Sequence, residues 1–213
     1  LAIVKAKIEK IPIILSSAMS TLNEVEESII AIQENNCNKI ALLQCTGNYP
    51  SKLDDSNLNV LNTYKKHFGC IIGYSDHTSE YINPVAATAM GAKIYEKHLT
   101  LDKFLPGPDH RMSLDENELT KTIKLIRETE KAMGSINKFV LESEKDNRLK
   151  LRKSIVTNDF IKKGQIISKK LISVKRPGIG IPPKYYFDVI NSFAKQDIEK
   201  NTSLKFEMID MKK

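Results

Sequence analysis

The sequence predicts an α/β protein in two parts: a series of strand–helix units forming a parallel sheet or barrel, then a smaller β-rich domain. Three observations carry this. Four short apolar runs, read as strands buried on both faces, alternate with segments whose apolar residues recur at helical intervals. The periodicity stops near residue 135, and beyond residue 151 short apolar pieces are separated by Lys-Lys-Gly, Arg-Pro-Gly and Pro-Pro turns. The charge also steps: residues 1–150 carry 19 basic and 20 acidic side chains, whereas residues 151–213 carry 14 and 6.

The first strand is Ile11-Pro-Ile-Ile-Leu-Ser-Ser, with its proline near the start. Thr21 and Glu24 have the spacing of a capping box ahead of a helix built on Val25, Ile29 and Ile32, which Asn35-Asn36 can close. Lys39–Cys45 is the second strand, followed by the turn Thr46-Gly-Asn-Tyr-Pro and a helix around Leu58–His67. Cys70–Tyr74 is the third strand, with its loop at Ser75–Thr78. A small-residue helix through Val85–Met90 stops at Gly91, and Lys93–Lys97 is the fourth strand. The loop Asp102–Met112 holds two prolines and a glycine, a stiffened irregular segment of the kind that carries function. Ser113 and Glu116 suggest a second capping box for a helix through Leu119, Ile123 and Ile126 to Met133-Gly134. Residues 1–135 are thus expected as the β/α domain, 136–151 as a linker and 152–213 as the β-rich domain of short strands with little helix.

No run of 18 apolar residues is present to span a membrane, and the opening Leu-Ala-Ile-Val-Lys-Ala-Lys-Ile-Glu-Lys has charges where a secretory signal needs apolar residues. The first residue is Leu and no methionine precedes Met19, so the sequence reads as a piece of a longer protein. Cys37, Cys45 and Cys70 are odd in number and lack zinc spacing, which points to reduced thiols and a cytoplasmic protein. The basic C-terminal part has no nucleic-acid motif; an anionic small molecule or an acidic surface suits it better.

The chemistry concentrates between Cys70 and Thr100, where two successive strands each end in a polar cluster with a histidine, His77 and His98. In parallel α/β proteins ligands bind at the carboxyl ends of strands, so the histidines are a candidate divalent-metal pair, with surface or packing roles as the alternative. Strand alternation puts Gly73, Ser75 and His77 on one face, and Ile94, Glu96 and His98 on one face. Ser75 can donate to a phosphate or carboxylate. Glu96 is an acid/base candidate, a carboxylate supporting a neighbouring ligand, or simply a partner of Lys93 or Lys97. Asp76 either caps the next helix with Ser75 or orients His77. Ser16 and Ser17 end the first strand, Thr46 and Tyr49 follow the second, and Asp109 sits in Gly-Pro-Asp-His; each is weak alone and gains weight from its position after a strand.

Leu-Leu-Gln-Cys-Thr-Gly-Asn-Tyr-Pro at 42–50, Gly-Tyr-Ser-Asp-His-Thr at 73–78, Glu-Lys-His-Leu-Thr at 96–100 and Gly-Pro-Asp-His at 107–110 resemble the sialic acid synthase family, whose bacterial members make N-acetylneuraminate or nonulosonates such as legionaminate. Arg-Lys-Ser-Ile-Val at 152–156 and Val-Lys-Arg-Pro-Gly-Ile-Gly-Ile at 174–181 are similar to its C-terminal antifreeze-like (SAF) domain. The resemblance implies a (β/α)₈ barrel followed by a small β-clip domain. Only four β/α units are found here, so the chain resembles the second half of the barrel plus the terminal domain. It also implies condensation of phosphoenolpyruvate with an N-acetylated hexosamine, N-acetylmannosamine or a diacetylated 6-deoxy analogue, for surface-glycan synthesis. His77 and His98 match the ligands of Mn²⁺ or Mg²⁺, Ser75 a phosphoenolpyruvate ligand, Tyr49 a binding-site tyrosine and Asp109 a contact to sugar hydroxyls. Arg176 matches an arginine that one subunit inserts into the other's active site in a domain-swapped homodimer. Gly47 departs from the Asn or Ser often found there, and no segment matches the glutamate and phosphate-binding lysines of the family's early strands. These 213 residues alone are therefore expected to fold poorly or be inactive. A carbohydrate-binding or regulatory module using the terminal domain is the alternative.

Overall fold

The computed structural model describes residues 5–7 and 11–211. The four apolar runs become β1 (Ile13–Ser16), β2 (Ile40–Cys45), β3 (Ile71–Asp76) and β4 (Ile94–Lys97), side by side in chain order in one sheet. Every pair is parallel, with Leu43 beside Gly73 and Ser75 beside Glu96. Helices α1 (Leu22–Glu34), α2 (Val60–His67) and α3 (Ile82–Ala89) connect the strands, and α4 (Glu116–Met133) packs on α3.

The alternation of side chains builds two unlike faces. Ile40, Leu42, Ile72 and Tyr74 join Val25, Ile29, Ile32, Leu61 and Tyr64 of the helices in one core. The opposite face carries Ile14, Leu43, Gly73, Ser75 and Glu96. At Gly73 a Cβ would stand 2.3 Å from Leu43 Cδ2 and 2.6 Å from the Ile94 carbonyl, so Leu43 occupies the space a side chain would need. A barrel of this class takes eight strands. Four leave this half-barrel open on its inner face, where Ile14 and Ile71 are 55% and 54% exposed.

Thr21 and Glu24 make the expected capping box, Glu24 accepting from the Thr21 amide at 2.7 Å. The second capping box lies two residues later than the sequence suggests. Ser113 donates its hydroxyl to the Asp109 carbonyl at 2.7 Å, so Asp115 and Glu118 cap α4 instead. β3 also runs two residues beyond Tyr74, which places Ser75 and Asp76 in the strand.

One compact unit ends at Ser135 and the second begins at Ile136. Residues 145–151, expected as linker, form helix α5 (Lys145–Leu151). No residue of α5 is buried, so it carries no apolar stripe for periodicity to detect; the Lys145–Glu142 ion pair and a bond from the Gly178 amide to the Leu149 carbonyl hold it. In this unit β5 (Ser154–Thr157) pairs antiparallel with β6 (Ile172–Lys175), and β7 (Phe193–Ala194) with β8 (Ile209–Asp210), with α6 (Tyr186–Val189) between. Its core is isoleucine-rich: Ile155, Ile161, Ile167, Ile172, Ile181, Ile198 and Ile209 are buried with Val189 and Leu204. Ile179–Ile181 is not a strand; Ile181 makes one bond to Leu204 and one to Ile155 and then turns away at Pro182. Ile166 makes only an isolated bridge, to Phe193. No helix among the described residues is long and apolar enough to cross a membrane.

Candidate active site

The carboxyl ends of β3 and β4 carry the two histidines one residue beyond each strand. Their ring centroids are 5.2 Å apart, with the planes at 72°. His77 Nδ1 lies 2.8 Å from the Thr46 carbonyl oxygen, an acceptor only, so Nδ1 carries a proton and in the neutral imidazole the lone pair is on Nε2. That is the tautomer a metal ligand needs, set by a backbone carbonyl as in many metal sites. His98 Nδ1 is 3.8 Å from Asp109 Oδ2.

The loop after β2 closes over this pair. The Tyr49 ring lies 4.1 Å from His77, tilted by 33°, and meets His98 edge-on at 5.6 Å. Desolvation first, and then the neighbouring acidic groups Asp109 and Glu96, push the Tyr49 phenol above its ordinary value, so the hydroxyl is a donor at neutral pH. Ser75 donates its hydroxyl to Glu96 Oε1 at 2.6 Å. Glu96 is therefore partnered by Ser75, not by Lys93 or Lys97.

His77, His98, Tyr49 and Asp109 thus form one cluster, with Ser75 and Glu96 on the same sheet face. Ser16 shares that face in register with Leu43, but Ser17 is buried on the other side and donates to the Leu43 carbonyl at 2.8 Å. The Thr46 hydroxyl is spent on the Asp55 carbonyl at 2.7 Å, and Thr46 reaches the site through its own carbonyl. A cleft of about 580 Å³ lies beside this loop, lined by Ser17, Gln44, Asn57 and Tyr64, and it includes neither histidine. Met19 packs where a side chain at Gly47 would reach, 3.0 Å from the position of its Cβ. In the second unit Arg176 is exposed, its Nε donating to the Leu151 carbonyl at 3.1 Å.

Asp76 neither caps a helix nor touches His77. It points to the helix-covered face, where Oδ1 accepts from the Thr78 amide and hydroxyl, both at 2.8 Å, and Oδ2 from the Tyr95 hydroxyl at 2.6 Å. Lys97 Nζ is 3.7 Å from Oδ2, and Asn83 of α3 donates into the same group. The signal was in the sequence: alternation puts Asp76 on the face of Tyr74, and a buried carboxylate there requires partners, for which Tyr95 and Lys97 have the right parity on β4.

The network gives a pH prediction. Burial, with help from Asp76, pushes the Tyr74 phenol up to about 12, against about 10 in the unfolded chain. The neutral phenol is the form the fold holds, so this stability is full below pH 10 and is lost as pH rises through 12. Denaturant titrations at pH 9 to 12 should show about 2–3 kcal/mol lost at this residue. Tyr74→Phe should remove that part of the decline; an identical decline in the variant contradicts it.

Among the described residues there is no group of three His, Cys, Asp or Glu side chains arranged for a metal ion. Two imidazoles, one with its tautomer fixed, are a partial donor set that fits a cation whose other positions go to water and substrate oxygens. Residues 2–138 match the NeuB family and residues 152–210 the SAF domain. The chain belongs to the NeuB family. It is 43% identical over 190 residues to an uncharacterized protein of Methanocaldococcus jannaschii, covering 89% of this chain and 56% of that protein. To the N,N'-diacetyllegionaminic acid synthase of Legionella pneumophila it is 36% identical over 206 residues, covering 95% and 58%. The crystal structure of the N-acetylneuraminic acid synthetase of Leptospira borgpetersenii superposes with a TM-score of 0.63 at 30% identity, covering 68% of this chain and 51% of that one. The chain thus spans a little over half the length of the curated NeuB-family relatives it matches.

Proposed function

We propose that this NeuB-family chain is the second half of the barrel, with the terminal SAF domain, of a synthase that joins phosphoenolpyruvate to an N-acetylated hexosamine. The observation that carries the reading is the His77–His98 pair at the ends of successive parallel strands, flanked by Tyr49, Asp109 and the Ser75–Glu96 pair. In the reaction C3 of phosphoenolpyruvate bonds to the sugar's aldehyde carbon, water adds at C2, and the C2–O bond to phosphate breaks. Mn²⁺ or Mg²⁺ on His77 and His98 would polarise the aldehyde oxygen.

The chain's own residues do the positioning. Thr46 holds His77 in the ligating tautomer through its carbonyl. Tyr49, protonated and stacked on His77, supplies a wall and a donor. Asp109 takes sugar hydroxyls beside His98, and Ser75 turns its one hydroxyl proton from Glu96 to the carboxylate or phosphate of phosphoenolpyruvate when that substrate binds. Glu96, bonded to Ser75, is the carboxylate of this half that can accept or return a proton. Arg176 completes the partner subunit's site in a domain-swapped homodimer, adding a fixed positive charge near the anionic substrate.

The test measures phosphate released from phosphoenolpyruvate with N-acetylmannosamine or a diacetylated 6-deoxy hexosamine in the presence of Mn²⁺. It is run on this chain alone and on the chain fused to the preceding barrel half of the Legionella relative. Turnover by the fusion and none by the chain alone is expected. A folded fusion that binds both substrates without forming the new bond overturns the synthase reading, and turnover by the chain alone overturns its assignment as half a site.

A further inference from the structure

We propose that Asp76, Lys97 and Tyr95 form a clamp, on the sheet face away from the site, that sets the spacing of His77 and His98; the inference rests on the reading of these histidines as a metal pair. His77 and His98 each lie one residue past the end of their strand, where the β3–β4 ladder has stopped. Their backbones do not bond to each other: the His77 carbonyl accepts from Ser51 and the His98 carbonyl from Leu114. Something other than the ladder must fix the distance between them.

The residues immediately before them do so. Asp76 and Lys97 are register partners, the last pair of the ladder. Because side chains alternate, both point away from the site while the histidines point into it. Lys97 pairs with Asp76 and also donates to the Thr78 carbonyl, so the residue preceding His98 is tied to the residues on both sides of His77. Tyr95 adds a second tie from β4, its hydroxyl 2.6 Å from Asp76 Oδ2. Thr78 closes onto Asp76 Oδ1 through its amide and hydroxyl, and Asn83 fastens the turn to α3. Asp76 and Lys97 side chains are 0% and 4% exposed. An apolar pair there would hold sheet and helices together without the cost of desolvating two charges. What the polar set adds is direction: the hydrogen bonds from Lys97 to the Thr78 carbonyl and from Tyr95 to Asp76 are each directional, and with the ion pair they hold the turn that carries His77 in one position relative to β4. These are positioning residues, acting through the two histidines.

The test uses Tyr95→Phe, which removes one hydroxyl, together with Asp76→Asn and Lys97→Met, on the full chain, with folding checked by circular dichroism. Calorimetric titration should show Mn²⁺ binding weakened ten- to hundredfold, the range seen when a residue supporting a metal ligand is lost. The Co²⁺ absorption spectrum of the substituted protein should change as well, and Lys97→Arg, which keeps charge and donors, should recover part of the affinity. Crystal structures of the metal-free variants should show the ring centroids moved from 5.2 Å by an amount on the order of 1 Å. Folded variants with unchanged ring spacing overturn the clamp, whether or not metal binds. A parent protein that binds no Mn²⁺, or binds it equally well as His77→Ala, overturns the metal reading while the ring spacing still decides the clamp.

Discussion

His77→Ala is expected to abolish Mn²⁺ binding and to lower phosphate release by the fused synthase at least about 10³-fold, the scale on which a group stabilising transition-state charge acts. Two separate losses meet at this residue. The Nε2 lone pair disappears, and with it one of the two proposed nitrogen ligands. The Thr46 carbonyl also loses the donor it holds at 2.8 Å, which costs about 1–3 kcal/mol where water does not replace it. His77→Asn separates the two effects. Its side-chain amide restores a donor to Thr46 without an imidazole nitrogen, so stability should return and turnover should not. Activity retained in His77→Ala, with unchanged metal dependence, would remove the central claim about this site.

Gly73→Ala is expected to destabilise the β/α unit, because a Cβ there meets a closer neighbour than a Cβ at any other glycine of the chain. The added Cβ would stand 2.3 Å from Leu43 Cδ2, 2.6 Å from the Ile94 carbonyl and 2.9 Å from Ile94 Cβ. Leu43 is fully buried and has little room to retreat, and the Ile94 carbonyl belongs to the neighbouring strand. Overpacking of this kind costs about 1–3 kcal/mol, and pressure on a strand carbonyl places it at the upper end. Gly73 lies two residues before Ser75 and four before His77, so the same push alters how β3 presents both. The melting temperature should fall by several degrees, and Leu43→Ala in the same chain should restore part of it by vacating the contested space. Equal stability of Gly73→Ala and the parent would show that the sheet yields more easily than this packing implies.

Much of the arrangement is readable in the sequence. Gly73, Ser75 and His77 share a face because strand side chains alternate, and β3 continues to Asp76, so the rule extends to the histidine. The pairing of Ser75 with Glu96 follows from the same parity once β3 and β4 are neighbours. Other assignments depended on where a chain segment returns. Ser16 and Ser17 are equivalent in sequence, yet only Ser16 faces the site, because the last residue of β1 and the next point opposite ways. Thr46 serves the site through its carbonyl and not its hydroxyl, because the Asp55 carbonyl has claimed the hydroxyl. Helix α5 is not legible in the sequence, because none of its residues is buried and it has no apolar period.

By itself the sequence determined the local elements, the division between a β/α part and a β-rich part, and the motifs that mark the chain as a NeuB-family member. Each is written in spacings of two to four residues or in contiguous motifs, and needs no knowledge of what lies across the sheet. Only the tertiary structure decided which polar groups meet. Asp76 finds Tyr95 and Lys97 across 19 and 21 positions, and His77 finds Thr46 across 31. Those meetings depend on strand register and on loops whose conformations are set by many weak contacts at once, so no short window of sequence contains them.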